Sequence, residues 1–291
     1  MKLYIPPQDL FRYWRLTRRR FEEAATVLPA RWGAFDGVWP KPNPNGVFFS
    51  ACDRRYFELY GENYITSVAQ SGGHQSVHLH IYDGDDTHVA AALHAGCTHG
   101  VPVSITRDVH TDAGLNSEYL FAAGRFVILP ALLAASASPV ICTDIDVLVR
   151  GSFDAAIAAL AGSDVSLHLR PESSLPWRKV LASTVIGMPT PGATAYFAGV
   201  AVVLAELLGR PLTHHVDQMI LYLGYRQARA QRERAVRFAP MSKDLIDWDF
   251  DEHSLVWNAK GPERKPAYWR AAKAMRAAGA CRLEPSWSID E

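Results

Sequence analysis

Two carboxylates interrupt the apolar run Pro139-Val-Ile-Cys-Thr-Asp-Ile-Asp-Val-Leu-Val149. In an extended chain alternate side chains share a face, so Asp144 and Asp146 would project together from one strand. Ionised and adjacent, they repel unless a cation lies between or beside them, and burial without compensation is costly. Hard oxygen donors at this spacing suit Mg²⁺ or Mn²⁺, which would also engage substrate phosphates. The alternative is structural, with Asp146 capping a turn and Asp144 paired with an arginine.

The elements around this run must deliver it to a crevice. Val47–Ala51 is a short apolar strand, and Asp53 can cap a helix running to about Gln70. Val77–Tyr82 alternates as a second strand before the turn Asp83-Gly-Asp-Asp, and Thr87–Ala95 is helical. Val101–Thr106 makes a third strand, Ser117–Leu133 a long apolar helix containing Pro130, and the acidic run a fourth strand. Phe153–Leu160 is helical and Asp164–Leu169 a strand. Thr194–Leu204, with Gly199 at its centre, is expected as a strand against a ligand or close neighbour. His214–Ala228 and Ala267–Ala278 are helices. Strands and helices in alternation imply an α/β fold with a mostly parallel sheet covered on both faces.

Ligands of open α/β sheets gather at the carboxyl ends of the strands. Ala51, Asp53 and Tyr56 fall there after the first strand, Asp83 after the second, and Asp144 and Asp146 after the fourth. Tyr56 could stack on a base and Asp53 could accept from a base N–H. Arg125, on the helix feeding the acidic strand, could reach a phosphate or an acid. Lys260, Gly261 and Lys265 bring two ammonium groups and bare backbone to a loop that suits a diphosphate. No glycine-rich loop of the Walker or dinucleotide type is present, against a P-loop or nicotinamide enzyme.

Composition narrows the classes. Of 291 residues nearly half are hydrophobic, ample for a packed core, and 30 Lys and Arg balance 30 Asp and Glu, so nothing global favours nucleic acid. The four cysteines (Cys52, Cys97, Cys142, Cys281) are scattered, as expected of free thiols in a reducing compartment. With no apolar run long enough to span a bilayer, the expectation is a soluble, cytoplasmic protein. The N-terminal helix from Pro7 to about Leu28 carries Arg12, Arg15, Arg18, Arg19 and Arg20 beside an apolar stripe of Leu10, Phe11, Trp14 and Phe21. Either it docks on the domain with its arginines solvated, or it lies on the inner face of an anionic membrane as a peripheral contact. Gly33–Gly46, rich in proline and glycine, reads as a linker or irregular loop.

Taken together, Tyr119…Arg125…Val140-Ile-Cys-Thr-Asp-Ile-Asp-Val-Leu-Val149 resembles the retaining GT-A glycosyltransferases of family 8, which include bacterial lipopolysaccharide galactosyltransferases and glycogenin. Ala51…Asp53-x-x-Tyr56 is similar to their uridine-contacting start, and Tyr196-Phe-Ala-Gly-Val200 to their Phe-Asn-Ala-Gly-Val strand. Asp217-Gln218 is similar to the Asp-Gln pair near the donor sugar, and Asn258-x-x-Gly261-x-x-x-Lys265-Pro266 to the His-x-x-Gly-x-x-Lys-Pro loop that closes over the diphosphate. The resemblance spans about Val47 to Tyr268. It implies a single GT-A (Rossmann-like) domain over 47–291, with a nucleotide-sugar half (47–170) and an acceptor half (171–291), preceded by a basic helix and Pro/Gly-rich segment (1–46). It implies a hexosyltransferase using a nucleotide-diphospho-sugar, a UDP-sugar, and a glycan, lipid or protein acceptor. Mn²⁺ or Mg²⁺ would sit on Asp144 and Asp146, with Asn258 in place of the family's histidine. Arg125, Asp217 and Gln218 would act at the donor, with Gln218 nearest the reacting carbon.

Two rivals remain open at this level. A haloacid-dehalogenase-type phosphatase also uses Asp-x-Asp after an apolar strand, but on its first strand, whereas here the motif is mid-chain. A domain that binds nucleotide-sugar or glycan without turnover is the other. His214 and His215 are adjacent on a helix and so diverge by about 100°, which suits capping or packing. Trp248-Asp-Phe-Asp251 is read as acceptor contact or plain surface.

Overall fold

The computed structural model describes residues 5–22, 35–108, 117–208, 215–231, 236–247, 254–258 and 263–282. Among them the helices are α1 (Pro7–Glu22), α2 (Arg54–Tyr56), α3 (Glu62–Gln70), α4 (Asp86–His99), α5 (Ser117–Ser136), α6 (Asp154–Ala159), α7 (Pro191–Leu207), α8 (Val216–Ala230) and α9 (Lys265–Arg282). The strands are β1 (Phe35–Gly37), β2 (Val47–Asp53), β3 (Ser76–Tyr82), β4 (Val103–Asp108), β5 (Val140–Thr143), β6 (Val147–Val149), β7 (Val165–Leu169), β8 (Val180–Gly187), β9 (Phe238–Pro240), β10 (Ile246–Asp247) and β11 (Val256–Asn258).

The main sheet has the order β1-β4-β3-β2-β5-β8-β7-β9. β4, β3, β2 and β5 run parallel, as do β7 and β9, while β1 and β8 run against their neighbours. A small second sheet, β10-β11-β6, stands beside it. Period-two alternation divides the core between the two faces. Phe49, Ala51, Val140 and Cys142 face α5, α7 and α8, whereas Phe48, Cys52 and Ile141 face α3, α4 and α9. This is the mostly parallel, helix-flanked α/β sheet expected from the sequence.

Three local expectations are corrected. Thr194–Leu204 is not a strand but the middle of α7. Thr190 caps that helix, its Oγ1 accepting from Ala193 N at 3.1 Å, and Pro191 occupies the first turn. α7 is buried on nearly every side by α5, α1 and α8, so its apolar residues run unbroken and show no amphipathic period. The segment read as a linker contains β1, which adds to the sheet edge beside β4. Between Leu169 and Thr194, where no element was expected, lies β8, buried along its whole length between β5 and β7.

α1 packs on α7 and α8 through Tyr13, Leu16 and Phe21. Phe21 fits against two glycines: a Cβ on Gly199 would come within 2.8 Å of its ring, and one on Gly224 within 2.9 Å. Gly199 is therefore the close-approach glycine its position suggested, with Phe21 as the neighbour. No helix among the described residues is long and apolar enough to cross a membrane.

Candidate active site

The Asp-x-Asp run is not one continuous strand. β5 ends at Thr143, Asp144–Asp146 form a turn, and β6 begins at Val147 in the second sheet. β5 is buried on both faces, and two carboxylates could not continue along that path without losing hydration. The chain leaves the main sheet at the acids, which places them at the carboxyl edge of the parallel strands, with Ile145 buried beneath them.

Each acid is held by a cation from a different helix. Arg125, buried in α5, pairs with Asp144 Oδ1, donates from Nη2 to the Ala182 carbonyl of β8 at 2.8 Å, and lies 3.8 Å from Asp217 Oδ2. Asp217 opens α8, its other oxygen accepting from Gln218 N at 2.8 Å. One guanidinium thus binds the acid turn, strand β8 and the start of α8 together. Asp146 is met by Lys265 Nζ at 3.2 Å, and Lys265 also donates to the Tyr60 hydroxyl at 2.7 Å. Lys265, expected in a loop, is the first residue of α9. Asn258 reaches the site because β11 pairs antiparallel with β6 in a register that sets it opposite Val147. Its Nδ2 lies 3.2 Å from Asp144 Oδ2.

The electrostatics follow from burial and charge. Asp146 is held above the usual carboxylate range, first by desolvation and then by the charge of Asp144, with Lys265 opposing. Lys265 is raised: burial alone would lower it, and the Tyr60 hydroxyl and Asp146 outweigh that. Arg125 is kept cationic in the same way, with the carboxylates of Asp144 and Asp217 outweighing its desolvation. Tyr56 is raised by burial and then by Asp146, which puts its half-exposed ring within the field of the acid.

Among the described residues no group of three or more His, Cys, Asp or Glu is gathered to hold a metal. The donor set at the turn is two carboxylates and one amide, all capable of offering hard oxygens, around an Asp146 whose ionisation is opposed by its neighbour. A divalent cation of the Mg²⁺ or Mn²⁺ type fits that chemistry, and the two carboxylates and Asn258 are the residues that could hold it.

The remaining predicted residues divide. Asp53 caps α2, its Oδ1 accepting from Tyr56 N at 2.7 Å. Ala51 is a buried strand residue paired with His80. Gln218 is buried and engaged elsewhere: with its amide assigned so that the nitrogen meets acceptors, it donates to the carbonyls of Trp177 at 2.9 Å and Val180 at 3.1 Å, and its oxygen faces His215 Nδ1 at 3.3 Å. The Tyr196–Val200 segment is core, with the Tyr196 hydroxyl donating to the Leu221 carbonyl at 2.8 Å. The strand neighbouring the acids is instead β8, whose Ser183 carbonyl accepts from Asp144 N at 3.2 Å. Lys260, Gly261, His214 and Trp248–Asp251 lie outside the described residues.

Sequence reasoning missed Tyr60 and Trp269. Tyr60 lies between Lys265, whose ammonium is 4.5 Å from its ring centre, and Trp269, which stacks on it at 5.4 Å. The signal was present: tyrosines recur every four residues at 56, 60 and 64, and Trp269 lies four after Lys265. Tyr64 completes the row by hydrogen bonding Thr143 Oγ1 at 2.7 Å, just before the acids.

No family model matches the chain, and no curated protein matches it in sequence. Solved structures do. The glycosyltransferase GlyE of Streptococcus pneumoniae TIGR4 superposes with a TM-score of 0.56 at 10% identity, over 87% of this chain and 66% of that one. The galactosyltransferase LgtC, in complex with donor and acceptor sugar analogs, superposes at 0.51 with 14% identity, over 84% of this chain and 98% of that one. The fold is GT-A. The bifunctional glycosyltransferase WbbM gives 0.52 and 13% identity over 78% of this chain. The chain thus spans 66% of GlyE and 47% of WbbM. At these identities the likeness is one of fold, and within the GT-A sheet the acid turn occupies the carboxyl edge where open α/β sheets receive ligands.

Proposed function

We propose that this GT-A domain transfers a hexose from a nucleotide-diphospho-sugar, most simply a UDP-sugar, to a hydroxyl of a glycan, lipid or protein. Mn²⁺ or Mg²⁺ would be held by Asp144 and Asp146 with Asn258 beside them. The observation that carries this reading is the pair of carboxylates at the break between two sheets, each matched by a cation from its own helix, in a fold shared with glycosyltransferases. When bound, the divalent cation supplies positive charge against the departing diphosphate.

The chain's own residues have defined tasks in this scheme. Arg125 fixes Asp144 and Asp217 at one bearing, so neither must be ordered when substrate arrives. Lys265, protonated throughout the physiological range, can turn its ammonium from Asp146 to a phosphate oxygen without leaving the Tyr60 ring. Lys260 and Gly261 would complete the diphosphate loop, Tyr56 would stack on the base, and Asp53 and Ala51 would border it. Asp217 would face the donor sugar, and Gln218 would do so only on releasing the Trp177 and Val180 carbonyls, with retention of anomeric configuration carried over from the family resemblance.

Screening UDP-sugars by thermal shift with and without Mn²⁺ tests this reading. Binding at about 100 times Kd stabilises by ~2.7 kcal/mol, so a rise of several degrees is expected only with donor and metal together. Asp146→Asn should abolish both that shift and sugar transfer. A variant with full transfer activity would sink the proposal. A second reading, a domain that binds donor without turnover, draws support from the Gln218 amide being fully engaged by Trp177, Val180 and His215. Metal-dependent release of nucleotide from the donor separates the two.

A further inference from the structure

We propose that the outer face of α1 is a docking surface for an anionic lipid bilayer. The inner face of this helix is already buried on α7 and α8 through Tyr13, Leu16, Thr17 and Phe21, so folding requires nothing apolar on the other side. Yet Phe11 is 62% exposed and Trp14 37% exposed, their ring centres 5.9 Å apart on the solvent face. Around them stand Arg15, Arg18 and Arg19, all exposed, with the Arg18 guanidinium 5.8 Å from the Trp14 ring centre.

From Leu10 to Phe21 the helix carries five arginines and no acid, in a chain whose total charge is zero. Four of them, Arg12, Arg15, Arg18 and Arg19, line the face that carries the rings, where the acids are Glu22 and Glu206. A groove of about 730 Å³ runs beside it, between the rings and Leu207 at the end of α7. Aromatic rings flanked by arginines on one helix face suit the boundary between headgroups and acyl chains, where the rings enter the apolar layer and the guanidiniums meet lipid phosphates. Sixteen residues give a helix about 24 Å long, enough to lie flat in that plane. Some of the charge is already matched within the protein, since Arg18 pairs with Glu22, and Arg19 and Arg20 both pair with Glu206. Arginine charge alone is thus not the whole attraction, and the rings are essential.

The proposal goes beyond the transferase reading and does not depend on it, because its readout is binding. The full chain is mixed with vesicles of neutral phosphatidylcholine, or with about 30 mol% phosphatidylglycerol added to give a negative surface, and the bound fraction is measured by flotation. Binding should be at least about tenfold stronger to the anionic vesicles. Phe11→Ser combined with Trp14→Ser should lower it by about tenfold, and Arg15→Glu combined with Arg18→Glu should abolish it, with both variants melting close to wild type. A wild-type chain that stays unbound overturns the proposal. So does undiminished binding of the serine variant, which would mark attraction to any polyanion. Sedimentation velocity supplies the last outcome: a dimer that the serine variant dissociates would assign the face to a second copy of the chain and overturn the proposal.

Discussion

Arg125 is the residue on which the acid cluster turns. It is 3% exposed and the two carboxylates that meet it, Asp144 and Asp217, come from segments far apart in the chain. Removing one partner of a buried ion pair leaves uncompensated charge, at a cost of about 3–5 kcal/mol. Arg125→Met should therefore lower unfolding stability by about that much, read from urea denaturation. Both carboxylates are partly exposed, so the lower end is expected. Asp146 makes a second prediction. Its folded pKa is raised, so as pH falls it takes up a proton earlier than an ordinary carboxylate and loses the charge a cation needs. Mn²⁺-dependent nucleotide affinity, measured by calorimetry, should rise with pH through that transition and level off above it. In Asp146→Asn, where the Mn²⁺-dependent affinity is expected to be lost, no such step should appear at any pH.

At the scale of elements, α7 and β11 mark where local reading fails. A helix buried all round and a strand buried on both faces are both unbroken apolar runs, and periodicity cannot separate them. The deciding marks were the Thr190 cap and Pro191, together with a length of 17 residues, too long for an ordinary strand. β11 is only three residues, and only its ladder to β6 brings Asn258 to Asp144. The packing of α7 is testable. Gly199→Val would drive branched carbons into the Phe21 ring and should cost about 1–3 kcal/mol. Pairing it with Phe21→Ala should recover part of the loss, since contacting residues are not additive. Chemical denaturation of the single and double variants gives the coupling.

At the scale of the whole molecule, the main sheet encloses polar groups that tie stability to pH. His78 and His80 on β3 are fully buried, hydrogen bonded to Ser104 and Thr106 of β4, and burial pushes both down to about 3. In the unfolded chain each would titrate near 6.5. Between those values the unfolded state binds protons that the folded state does not, so stability is intact above about pH 6.5 and falls as pH is lowered towards 3. At pH 5 the loss is about 2 kcal/mol for each histidine. Melting at pH 7 and pH 5 should show the drop, and His78→Gln should reduce it.

What the chain determined by itself is what depends on neighbours in sequence. The α/β alternation, the capped helices, the Asp-x-Asp run and the Tyr56 row are set by local periodicity, capping and spacing. Tertiary structure decided what depends on residues brought together from a distance. It broke the acid strand into a turn between two sheets and turned a glycine-centred apolar run into the central helix. It joined Arg125 to Asp217 and Lys265 to Tyr60. Those pairings span tens to hundreds of residues, and the physical reason they escape sequence is that a side chain's partner is chosen by the packing of whole elements, which no local pattern records.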